Sequence, residues 1–227
     1  MGTMNFEVIN PQGGYAVLKA TMNEGDEFIS MPGTVTSLKG ANFSAQKQGG
    51  LLGGLKRSIT TGTNVFMDRI FFESNPGEAI VAPRFPGQIG EISLVQEIFA
   101  HSHSFLATNS GVEVGSRSLG VRSLFASGNL FWISLKGDNS KKAWLSFFGD
   151  IMKVDLKAGE KISVEHGHFV ALTAQSKFQI RFLGMKRALM GGEGLYMVDI
   201  EGPGSLWVQT RNLDAFIMYI AEHMPKN

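Results

Sequence analysis

The chain contains one short sequence pattern three times, at a constant interval of 65 residues. Each copy begins with an arginine followed by a small residue and an aliphatic residue. The arginines are Arg57, Arg122 and Arg187. Nine positions after each arginine comes an aromatic residue: Phe66, Phe131 and Tyr196. Self-similarity at a fixed period is the signature of a fold built from repeated supersecondary units. The sequence therefore predicts a triplicated unit.

Most of the chain alternates apolar and polar residues with a period of two. Clear examples are Phe178, Ile180 and Phe182, and later Leu206 and Val208. β-branched and aromatic residues in this pattern indicate half-buried strands. Glycine, proline, asparagine and aspartate interrupt the pattern about every 8 to 12 residues, which is typical of sandwiches and barrels. We therefore predict an all-β fold.

The repeat also predicts an internal division of the chain. We place unit boundaries near Lys56, Val121 and Lys186. The predicted segments are a first β unit over 4–55, further β segments over 56–120 and 121–185, closing strands over 186–211, and a helix over 212–225. We expect these segments to form one body.

The predicted helix is amphipathic. Its apolar face follows the helical period: Leu213, Phe216, Ile217, Ile220 and Met224. Asn212 is the expected N-cap, and Pro225 is expected to stop the helix. We expect the helix to pack on a sheet face or on a neighbouring subunit. The candidate oligomer contacts are Phe216, Ile217, Tyr219 and Ile220.

Composition excludes several classes of function. With 21 basic and 20 acidic residues, the net charge of +1 provides no overall attraction to nucleic acid or to an anionic membrane. The absence of cysteine excludes disulfides, thiolate metal sites and a cysteine nucleophile, and it fits a reducing compartment. No apolar run approaches the length of a transmembrane helix, and the N-terminus lacks a signal-peptide pattern. We expect a cytoplasmic protein.

The order of five short segments resembles the AIM24 (altered inheritance of mitochondria) family. These are Gly-Leu-Leu-Gly-Gly-Leu-Lys-Arg at 50–57, Ser-Phe-Leu-Ala at 104–107, Gly-His-Phe-Val-Ala at 167–171, Gly-Glu-Gly at 192–194 and Val-Gln-Thr-Arg at 208–211. The resemblance runs from about Phe6 to Arg211. It implies three small β-sandwich units in a pseudo-threefold arrangement. Such units are similar to the subunit of the tryptophan RNA-binding attenuation protein, in the double-stranded β-helix group. Eukaryotic relatives are associated with organisation of the mitochondrial inner membrane.

Two histidine pairs recur at the interval of the repeat: His101 with His103, and His166 with His168. Residues i and i+2 of a strand share a face, so each pair could bind a transition metal as in a cupin. However, the glutamate expected about four residues later is missing. Homologous turns before a strand are the simpler interpretation, and we expect no cofactor.

The repeated arginines Arg57, Arg122 and Arg187 also have two interpretations. They could form an anion-binding or RNA-contacting ring. Alternatively, each guanidinium ties adjacent strands through a carboxylate or carbonyl group, which we favour because equivalent positions in a repeat tend to keep equivalent structural roles.

Our main hypothesis is a non-enzymatic scaffold or interaction protein that self-associates, with a homotrimer favoured. Exposed strand edges and the terminal helix are the reasons for self-association, since both must be paired or covered. A trimer is favoured because three repeated units per chain would give a closed ring of nine units. The alternatives are a metal-dependent cupin-like enzyme that uses the four histidines and an RNA-binding ring that uses the three arginines.

Overall fold

The computed structural model describes residues 5–47, 66–118, 131–183 and 196–225. Within these ranges the chain forms β-strands, two short 3-10 turns and one C-terminal α-helix. This confirms the predicted all-β class and the predicted helix. The predicted boundaries near Lys56, Val121 and Lys186 lie outside the described residues and stay predictions. The chain divides into two compact units, Met1–Ser146 and Phe147–Asn227.

The first unit contains strands β1 to β13, of which β13 extends two residues into the second unit. They are β1 (Asn5–Ile9), β2 (Val17–Met22), β3 (Glu27–Ser30), β4 (Val35–Lys39), β5 (Ala41–Lys47), β6 (Phe66–Phe72), β7 (Gly77–Val81), β8 (Gly87–Ser93), β9 (Ile98–His101), β10 (Phe105–Asn109), β11 (Glu113–Ser118), β12 (Phe131–Lys136) and β13 (Lys142–Phe148). A 3-10 turn, Ser102–Ser104, joins β9 to β10.

Antiparallel pairing organises the first unit. One sheet has the order β1-β2-β7-β4, and another has the order β5-β6-β3-β10-β13-β8. Strand β12 pairs with β11 on one side and with β9 on the other. Strand β2 illustrates how a sheet buries one face. Successive side chains of a strand point to opposite faces, and Leu18, Ala20 and Met22 are buried and alternate with more exposed residues. They share a core with Trp144, whose ring lies 4.0 Å from that of Phe6 between centroids.

In the second unit, the described residues form six strands and the helix. They are β14 (Ile151–Leu156), β15 (Lys161–Glu165), β16 (Phe169–Thr173), β17 (Lys177–Phe182), β18 (Tyr196–Glu201), β19 (Gly204–Gln209) and α1 (Leu213–His223). A 3-10 turn, His166–His168, joins β15 to β16. Strand β18 lies between β15 and β17, and β19 lies between β14 and β16.

Three strand pairs contain the same irregularity. The register shifts between Val35 and Ser37 in β4, which pairs with β7. Strand β10 shifts between Phe105 and Ala107 against β13, and β16 shifts between Phe169 and Ala171 against β19. A bulge of this kind inserts one residue into a strand and changes the direction of the following side chains.

The alternating apolar residues predicted in β19 are buried, with Leu206 at 0% and Val208 at 9% exposure.

Candidate functional site

The 3-10 turn after β15 brings a group of polar side chains to the N-terminus of α1. We call this group the His166 cluster, and it consists of Glu165, His166, Tyr196, Asn212 and Asp214. The Asn212 Oδ1 atom accepts a hydrogen bond from the Ala215 backbone N–H at 3.1 Å, as predicted for the N-cap. The Asn212 Nδ2 atom donates to Glu165 Oε2 at 2.8 Å. One side chain therefore caps the helix and ties it to the turn.

The His166 ring lies between two carboxylates. Its Nδ1 atom is 2.9 Å from Glu165 Oε1, and its Nε2 atom is 3.5 Å from Asp214 Oδ2. The Nδ1 and Oε1 atoms are both buried, and at this distance the two groups form an ion pair. The ring also stacks on Tyr196, with centroids 4.0 Å apart and an interplanar angle of 28°. The His166 side chain is only 16% exposed.

Burial and the charges of the cluster together shift the pKa values of three residues. Burial favours the neutral form of His166, but its interactions with Asp214 and Glu165 outweigh burial and raise its pKa to about 9. Burial also opposes ionisation of Glu165, yet the contact with His166 lowers the pKa of this carboxyl. Burial raises the pKa of the Tyr196 hydroxyl, with further contributions from Asp214 and Glu165. At neutral pH the cluster therefore holds an imidazolium between two carboxylates.

Gly167 and His168 complete the turn beneath the helix. A Cβ atom on Gly167 would collide with the Asn212 side chain, so only glycine permits this close approach. The His168 Nδ1 atom lies 2.8 Å from the Gln209 carbonyl oxygen and must donate, because a carbonyl only accepts. The Gln209 side chain donates to the Gly167 carbonyl at 2.8 Å. These contacts hold the turn in place.

The other histidine pair lies in the first unit and has a different role. The His101 Nδ1 atom accepts a hydrogen bond from the His103 backbone N–H at 3.3 Å, which caps the 3-10 turn. The corresponding cap position in the second unit is Glu165, since the two turns are 64 residues apart rather than 65. The two histidine pairs are therefore not structural equivalents, although their sequence spacing matches the repeat.

The described residues provide no ligand set for the cupin-like alternative. Among 5–47, 66–118, 131–183 and 196–225, no three histidine, aspartate or glutamate side chains converge as they would around a metal ion. His101, His103, His166 and His168 make protein contacts instead. Arg57, Arg122 and Arg187 all lie outside the described residues, so their proposed contacts stay predictions.

Helix α1 carries the four predicted oligomer contacts, and all four are exposed. The exposed fraction is 45% for Phe216, 54% for Ile217, 60% for Tyr219 and 41% for Ile220. Phe216 also packs on Phe148, with ring centroids 5.4 Å apart. In the described part of the chain, no helix is long and apolar enough to cross a membrane.

Comparison with known proteins identifies the relatives of this fold. The family model described as mitochondrial biogenesis AIM24 matches residues 6–211. The chain belongs to the AIM24 family. This confirms the family predicted from the sequence.

Two similar proteins come from streptococci. An uncharacterised protein of Streptococcus pyogenes serotype M6 is 25% identical over 181 residues, which cover 78% of this chain and 71% of that protein. The crystal structure of a Streptococcus pyogenes protein superposes with a TM-score of 0.80 at 21% identity, over 98% of this chain and 100% of that one. This structural similarity supports the fold described above for the present chain.

Sequence reasoning missed the His166 cluster in this AIM24 family member. It identified Asn212 as a cap and His166 as a metal candidate, but it did not connect them. The available signals were an acidic residue at position 214, in the first turn of the helix, and the adjacent Glu165-His166 pair. The contact between Asp214 and His166 requires the segment after β19 to lie beside the turn after β15. Sequence spacing alone does not reveal this arrangement.

Proposed function

We propose that the chain is a non-enzymatic β scaffold that self-associates, with a homotrimer as the favoured assembly. The observation that carries this proposal is the apolar stripe of α1, which comprises Leu213, Phe216, Ile217 and Ile220 and continues to the C-cap residue Met224. Four of these side chains are between 41% and 60% exposed. Contiguous apolar surface of this kind marks an interaction site, because leaving it in water is unfavourable.

A second copy of the chain is the proposed partner of this stripe. Residues Leu213–His223 include Asp214 and Glu222 but no lysine or arginine. Interfacial helices that bind anionic lipid carry basic residues on the polar face, so the charge of α1 disfavours a membrane surface. The net charge of +1 likewise disfavours a strongly charged partner.

We also propose that the chain consists of three repeats, each similar to the subunit of the tryptophan RNA-binding attenuation protein (TRAP-like repeats). This threefold repetition is the basis for favouring a trimer. The strand pairings support this, because each recurs after six strands. Strand β6 pairs with β3 and β5, β12 pairs with β9 and β11, and β18 pairs with β15 and β17. The bulged pairs β4–β7, β10–β13 and β16–β19 follow the same interval. In this proposal, the boundaries fall near Lys56, Val121 and Lys186, and the repeated arginines have equivalent structural roles.

The test of the proposed interface compares two adjacent exposed residues of α1. Ile217 lies on the apolar stripe, whereas Met218, which is 48% exposed, projects from nearly the opposite side of the helix. We expect Ile217→Glu to weaken self-association by roughly tenfold or more, since a carboxylate in an apolar contact costs more than about 1.4 kcal/mol. Met218→Glu is the matched control and should leave the dissociation constant of self-association unchanged. Equal dissociation constants for both variants and the unmodified chain would exclude the stripe as the interface.

A further inference from the structure

Strands β4 and β15 are exposed where their counterparts in the repeat are buried. Strand β4 is at one edge of the sheet β1-β2-β7-β4, and β15 is at one edge of the set β15-β18-β17. In β4, every residue is at least partly exposed, whereas β10, six strands later, is buried from Phe105 through Thr108. In β15, only Val164 is buried, whereas three of the four residues of β3 are buried.

The first unit shows how such strands pair. Strand β3, the counterpart of β15, pairs antiparallel with β10, the counterpart of β4 in the next repeat. Ala107 lies opposite Ser30, and Asn109 lies opposite Phe28. The Met31 backbone N–H donates to the Leu106 carbonyl at 2.8 Å. The first unit thus contains a built example of the pairing that is available to an edge strand such as β4 or β15.

We propose that β15 of one copy pairs with β4 of a second copy, in the register of β3 with β10. This inference rests on the proposed three-repeat, self-associating scaffold. The bulges align Ser37 with Ala107, since each is the first residue after the register shift. Val164 pairs with Val198, and Ser30 pairs with Asp68. Because Val198 and Asp68 are separated by two intervals of the repeat, Val164 is the counterpart of Ser30.

This alignment specifies the contact residue by residue. Ser37 of one copy lies opposite Val164 of the other, and Lys39 lies opposite Ile162. The edge N–H and C=O groups of both strands gain hydrogen-bond partners, which is how β-augmentation provides affinity. The contact joins two different surfaces, so it is heterologous and closes a ring when the rotation between copies permits. Three copies in such a ring would contain nine repeats.

The chain contains no cysteine, so cysteines introduced singly can report this register. The four variants are Ser37→Cys, Lys39→Cys, Ile162→Cys and Val164→Cys. Variants are mixed in pairs, oxidised, and analysed on non-reducing gels. Directly opposite residues have Cβ atoms about 4.5–5.5 Å apart, whereas diagonal neighbours are about 7–8 Å apart, beyond the reach of a disulfide.

We expect heterodimer cross-links in the mixtures 37 with 164 and 39 with 162, at roughly five times the yield or more of the mixtures 37 with 162 and 39 with 164. The four mixtures use the same four proteins, so altered folding of one variant cannot produce the pattern. Circular dichroism of each variant checks that it folds.

Equal yields in all four mixtures, or no cross-links, would overturn the proposed pairing. A disulfide within single chains of the double variant Ser37→Cys/Val164→Cys would also overturn it, since the two edges would then meet in one chain. The mass of the unmodified chain in solution separates the two levels of failure. An oligomer without the cross-linking pattern removes only the strand pairing, whereas a monomer removes self-association itself.

Discussion

Protonated His166 stabilises the second unit, and the stabilisation should disappear at high pH. The surrounding carboxylates raise the pKa of His166 from its ordinary value of 6.5 to about 9. At about 1.4 kcal/mol per pKa unit, this difference corresponds to roughly 3 kcal/mol of folding free energy. The side chain is 16% exposed, so solvent screening reduces this magnitude little.

The sign of the pH dependence follows from the raised pKa. Below pH 6.5 the histidine is protonated in both the folded and the unfolded chain, and the contribution is fully present. Between pH 6.5 and about 9 the unfolded chain loses the proton first, so the stabilisation declines. Above that range both states are neutral and the contribution is lost.

The perturbation is His166→Gln, which removes the charge and keeps a polar side chain. The matched control is His103→Gln, a histidine in the other 3-10 turn, which is exposed and whose contribution to capping comes from its backbone N–H. Urea denaturation at fixed protein concentration gives the free energy of unfolding of each variant. We expect His166→Gln to be less stable than the control by roughly 3 kcal/mol at pH 6, and by much less at pH 10.

Two results would refute this reasoning. One is a stability difference between the variants that is the same at both pH values, because a loss of packing rather than of charge would then explain it. The other is an NMR titration in which the His166 ring protons shift near pH 6.5. In that case the carboxylates would not hold the proton.

Three further predictions concern contacts in the second unit. Gly167→Ala should displace Asn212 and cost about 1–2 kcal/mol of unfolding free energy, the value of a lost N-cap, whereas an unchanged urea midpoint would mean that the turn can move away. The Arg181 guanidinium, followed by the Ser163 hydroxyl, lowers the pKa of Asp199 to about 2, so its carboxyl should titrate near that pH by NMR. Because this pair is on the surface, Asp199→Asn should change stability by less than about 1 kcal/mol, and a larger loss would contradict its surface character.

The period-two alternation of apolar residues predicted the all-β class correctly. The three aromatic positions found from the sequence, Phe66, Phe131 and Tyr196, lie in strands β6, β12 and β18. The cap at Asn212 was also predicted, because capping depends on residues adjacent in sequence. Local capping chemistry and period-two alternation are therefore readable from one sequence.

The 65-residue interval did not predict features that depend on exact register. The histidine pairs match at 65 residues, but the turns that carry them match at 64, so Glu165 rather than His166 takes the place of His101. A one-residue difference moves a side chain to the other face of a strand. From the sequence, His166 and His168 were expected to be equivalent to His101 and His103. In the structure, His166 instead belongs to the His166 cluster.

The mass of the unmodified chain in solution tests the scaffold proposal most directly. Sedimentation velocity at micromolar concentration distinguishes a single chain of 24.7 kDa from an assembly. The proposed homotrimer predicts a species of three times that mass. A single species of 24.7 kDa at every concentration would contradict the central claim that this fold functions by assembling with copies of itself.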